Sequence, residues 1–73
     1  MVTQMIANDE MERYMVRAAN HTFLLDTNRP AMIKANQGHL QWEWKLVGGV
    51  CPGYFLKEIT NEIRRVLMWI DKI

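Results

Sequence analysis

Hydrophobic and polar side chains alternate most regularly in HLQWEWKLV, residues 39–47. Leu40, Trp42, Trp44 and Leu46 fall on one side of an extended chain and Gln41, Glu43 and Lys45 on the other, the period of a half-buried antiparallel strand. A different period governs residues 9–19. Met11, Tyr14, Met15 and Ala18 stand at helical spacing while Glu10, Glu12, Arg13 and Arg17 point elsewhere, so the pattern predicts an amphipathic helix. Asp9 followed by Glu12 supplies a variant of the capping box at its start. HTFLLD, residues 21–26, reads as a strand stopped by the turn chemistry of Asp26, Thr27, Asn28, Arg29 and Pro30. The short segment 31–35 then leads into Asn36-Gln37-Gly38, where Gly38 can take the positive φ of a hairpin connection.

Gly48-Gly49 and Pro52-Gly53 interrupt the chain before a long predicted helix, residues 54–72. Phe55, Leu56, Ile59, Ile63, Val66, Leu67 and Ile70 share one broad stripe of it, which should face the core. The expected fold is therefore α+β, a small α-β-β-β-α domain in which a three-stranded antiparallel sheet carries two helices on its apolar face. Residues 1–8 are expected as a flexible N-terminal arm, with a single globular domain over 9–73.

Composition narrows the function classes. A chain of 73 residues with 49% hydrophobic and 23% charged side chains has room for one core, near the size at which a domain holds without disulfides or metal. A net charge of +1 argues against bulk attraction to nucleic acid or anionic lipid. Cys51 is the only cysteine, so no internal disulfide can form. With no basic region followed by an apolar run at the start, the expectation is a cytoplasmic protein.

Candidate chemistry is sparse. Cys51, in GGVCPG before a helix, invites a thiolate reading, but no spacing in the chain supplies a base. His21, Asp26, His39 and Cys51 lack the closely spaced pairs of a zinc site. The glycines match no phosphate-binding fingerprint. Neither catalysis, a metal nor a cofactor is expected. The two tryptophans of the alternating stretch read as core, the face on which a small sheet must be covered.

Surfaces are more informative. Val2, Met5 and Ile6 are apolar residues that the predicted helix does not need. They adjoin Asp9, Glu10 and Glu12, then Arg13 and Arg17, and together suggest an arm that orders on a protein partner. Trp69 lies off the centre of the last helix's apolar stripe, either covering the core margin beside Arg65 or forming part of a contact surface. Lys57, Arg64 and Lys72 share that helix's outer face, and with Lys34 and Lys45 they form the alternative, a small RNA- or DNA-binding domain. The predicted element order is also that of double-stranded-RNA-binding domains, but the lysine-rich start of their second helix is replaced here by GYFLKEIT.

In length and character the whole chain resembles the small phage-encoded proteins that bind host RNA polymerase and inhibit initiation or promote antitermination. The resemblance implies a polymerase-subunit partner, action by remodelling that complex, and no cofactor. The leading expectation is thus a non-enzymatic protein that docks on a larger complex to regulate transcription.

Overall fold

A computed structural model describes residues 1–35 and 42–71. Among these, strands β1 (Val2–Ala7), β2 (Glu12–Ala18), β3 (His21–Thr27) and β4 (Trp44–Gly49) form an antiparallel sheet in the order β1-β2-β3-β4. Helix α1 (Arg29–Lys34) joins β3 to β4, and helix α2 (Gly53–Asp71) follows. The α+β class, the antiparallel sheet and the number of helices agree with expectation, although only α2 falls where a helix was expected. The sheet has four strands rather than three, and the first predicted helix is a strand.

That correction has a local cause. The side chain of Asn8 accepts bonds from the amides of Glu10 (2.8 Å) and Met11 (3.0 Å), and the Asn8 amide donates to the Met11 carbonyl at 3.0 Å. Side-chain-to-amide bonding of this kind caps helices and closes turns equally well, and here it closes the turn between β1 and β2. Residues 1–8, expected as a flexible arm, accordingly contain β1, paired antiparallel with β2. At the far end of β2, Ala19 (φ 50°) and Asn20 (φ 66°) make a tight connection to β3, the two-residue hairpin whose positive φ values match strand twist.

Of the segment 31–35, expected as a strand, residues 31–34 belong to α1 and Ala35 is its C-cap. Pro30 sits in its first turn, where its fixed φ suits a helix and its missing N–H costs nothing. The expected hairpin turn at residues 36–38, with His39 and Leu40, lies outside the described residues. Helix α2 runs nearly as predicted.

Register puts Glu12, Tyr14 and Val16 on the same side of the sheet as their cross-strand neighbours Thr27, Leu25 and Phe23. This face meets α2: Val16, Phe23 and Leu25 are buried with Ile63 and Leu67 of the helix. Trp42 is fully buried and stands edge-on to Trp44 at 5.4 Å between ring centres, and Trp44 in turn to Tyr14 at 5.9 Å. The tryptophans of the alternating stretch hold the protein together. The arrangement is closed at the end of β4 by Gly49, whose φ is +79° and whose added Cβ would run into the Thr22 carbonyl.

Candidate protein-docking edge and groove

Strand β1 lies at the margin of the sheet, and hydrogen-bond alternation decides which of its groups are free. Met1 and Arg17 exchange main-chain bonds of 2.6 and 2.8 Å. Since bonded and non-bonded pairs alternate in an antiparallel ladder, Thr3 bonds to Met15, while Val2 and Gln4, opposite Val16 and Tyr14, turn their amides and carbonyls outward. The hairpin supports the same phase from the other side: its closing pair, Ala18 and His21, commits the main chain of the even-numbered β2 residues to β3. A bulge at Met5 ends this run. The free edge is therefore the backbone of Val2 and Gln4.

Beside the edge the covered face of the sheet is only partly roofed. A groove of about 610 Å³ opens there. Val2, Gln4, Tyr14 and Val16 form its floor, Ile63, Val66, Leu67 and Ile70 form one wall, and among the described residues the exposed Glu62 carries the one charged side chain of its lining. Val66 and Ile70 are about half exposed, at 54% and 48%, because α2 covers β2 and β3 and stops short of β1. Trp69, 65% exposed, lies one step further round the helix. The cation–π contact of this helix is made by Arg64, whose guanidinium stands 4.9 Å over Trp42 and donates to its carbonyl at 3.2 Å.

A polar network fixes the floor. The carboxylate of Glu12 receives two bonds from Arg29, at 2.6 and 2.7 Å, and one from the Gln4 side-chain amide at 3.0 Å. The same Gln4 nitrogen donates to the Tyr14 hydroxyl at 3.2 Å. Burial, acting against the charged phenolate, raises the Tyr14 pKa, although the bond from Gln4 opposes this. β1 is thereby tied to the core through a side chain as well as through its ladder with β2, while the outward backbone of Val2 and Gln4 stays free.

The expected protein-binding residues separate into distinct places. Val2, Met5 and Ile6 are exposed on β1, and Trp69 is exposed near the groove. Asp9 and Glu10 are exposed in the β1–β2 turn, away from it. Glu12 must be withdrawn as a surface residue: it is buried and bonded to Arg29. Arg13 and Arg17 point to the opposite, open face of the sheet, where Arg13 holds Asp26 through bonds of 2.7 and 3.0 Å that raise the pKa of the Arg13 guanidinium. The groove itself was missed, since only the tertiary placement of α2 creates it.

The alternative phosphate stripe is not assembled as expected. Lys57 is exposed, Arg64 is turned inward onto Trp42, and Lys72 lies outside the described residues. Lys34 and Lys45 are exposed, but they belong to α1 and β4. Burial raises the Cys51 pKa, the opposite of what an activated thiolate requires. Among the described residues no three His, Cys, Asp or Glu side chains cluster to hold a metal ion, and no helix is long and apolar enough to cross a membrane.

Sheet, backing helix and free edge define a small α+β domain, an antiparallel meander roofed on one face. No family model, curated protein or solved structure matches the chain. Function is accordingly read from the edge and the groove.

Proposed function

We propose that the protein is a non-catalytic protein-binding module that takes up an extended, uncharged strand of its partner on β1. The observation that carries this is the juxtaposition of unpaired backbone at Val2 and Gln4 with an apolar groove directly beneath it. An added strand bonds to the edge through its main chain and sets alternate side chains into the groove, so affinity and selectivity come from separate contacts. Of the usual defences against such pairing the edge carries the Met5 bulge, while VTQMIA contains no charge and no proline.

The transcription regulator implied by the whole-chain resemblance is one form of this reading, with a cytoplasmic setting, and purified RNA polymerase belongs among the partners tested. The decisive variants are Val2→Pro, which deletes an outward amide that the fold does not use, and Val66→Asp, which charges the groove wall. Partner binding should fall at least tenfold in both while circular dichroism stays unchanged. Undiminished binding by both folded variants would refute the proposal.

A further inference from the structure

We infer that the strand received by β1 is the β1 of a second copy of this chain, an inference that rests on the docking reading above and names its partner. The edge is complementary to itself. If two β1 strands meet antiparallel across a two-fold axis at Thr3, Val2 of each copy faces Gln4 of the other, and both outward amides and both outward carbonyls of each strand find partners. An axis at Val2 would set Gln4 opposite a position outside the other copy's β1 (Val2–Ala7). An axis at Gln4 would set Val2 against Ile6, whose main chain is already turned to Arg13 beyond the bulge. Thr3 is the centre that uses the whole free edge.

Charge agrees with this register. A two-fold axis brings like residues together, and like charges facing one another across strands are destabilising. Met1 to Ala7 carry no charged side chain. The Thr3 axis also places Met1 of one copy opposite Met5 of the other, and both are largely exposed in the single chain, at 75% and 54%.

The axis runs perpendicular to the sheet, so both copies keep α2 on the same side. Their grooves then join into one trough between the two helices, and each copy supplies the wall that the other lacks through Val66 and Ile70. The exposed apolar side chains that meet or face one another across this axis are Met1, Val2, Met5, Val66, Trp69 and Ile70. The paired backbones contribute further area.

Two measurements test this. Sedimentation equilibrium of the full chain between roughly 1 and 100 µM should give the mass of a dimer at the upper end, and Val2→Pro should weaken association at least tenfold. In a Cys51→Ser background, Thr3→Cys should oxidise to a covalent dimer, because a non-hydrogen-bonded antiparallel pair brings Cα atoms to about 4.5 Å, within disulfide range. Thr22→Cys, on the open face two strands away, should not. A monomer mass throughout, or equal cross-linking at both positions, overturns self-pairing. If the chain is monomeric yet binds another protein in a Val2→Pro-sensitive manner, the docking reading survives and only the second copy is lost. A dimer indifferent to Val2→Pro, with no preference for Thr3→Cys, overturns this interface.

Discussion

Glu12 shows how one residue can hide an element. It occupies the core side of β2, in line with Tyr14 and Val16, but a carboxylate there breaks the alternation by which a strand is recognised. Arg29 and Gln4 make its burial tolerable, and both are remote in the chain. Gly49 gives a sharper test of local constraint. Gly49→Ala should destabilise the protein by at least about 2 kcal/mol, since a left-handed φ and a collision with the Thr22 carbonyl act together. Gly53→Ala meets nothing within 4 Å and should be neutral or stabilising by up to about 1 kcal/mol. Urea midpoints at constant slope would measure both. Tyr14 adds a pH signature. Its folded-state pKa is raised, so the unfolded chain loses this proton first; the contribution is intact below about pH 10 and lost as pH rises through the folded value. Wild type should therefore lose stability relative to Tyr14→Phe above pH 10 and not below it.

At the scale of elements, α2 has two apolar sides with different jobs. Its stripe was legible from spacing alone, yet spacing cannot distinguish Leu67, buried at 7% exposure, from Val66, 54% exposed beside it. Leu67→Ala should cost about 2–4 kcal/mol through the cavity it leaves. Val66→Ser and Trp69→Ser should change thermal stability of the separated chain by less than about 0.5 kcal/mol while weakening association at the groove. Equal losses of stability in all three variants would show that Val66 and Trp69 are core residues. β1 and β2 were hidden for a complementary reason. After Glu12, the residues Tyr14, Val16 and Ala18 alternate as in a strand while Tyr14, Met15 and Ala18 also stand at helical spacing, and the turn that decides between them depends on Asn8, whose bonding also suits a helix start.

For the whole molecule, β1 belongs to the fold as well as to the docking edge. Its removal strips one side of β2 and takes Gln4 from the buried Glu12 and Tyr14. A chain lacking residues 1–7 should lose at least about 2 kcal/mol, which for a domain of this size lowers Tm by roughly 8–16 °C. An unchanged melting curve would mean that the segment behaves as the free arm anticipated from its composition. Val2→Pro is the gentler intervention, because it touches only the outward side of the strand.

By themselves, residue spacings determined the α+β class, the third strand, the core role of Trp42 and Trp44 and nearly the full extent of α2. These depend on patterns repeated within a few turns or along a single strand. Tertiary structure decided the rest. Whether residues 12–18 coil or extend depended on a neighbouring strand ready to pair with them, and whether Glu12 faced water or core depended on Arg29. The free backbone of Val2 and Gln4 and the apolar groove beside it exist only because α2 covers β2 and β3 without reaching β1. A sequence records which side chains are apolar; where a helix stops across a sheet is set by packing among residues far apart in the chain.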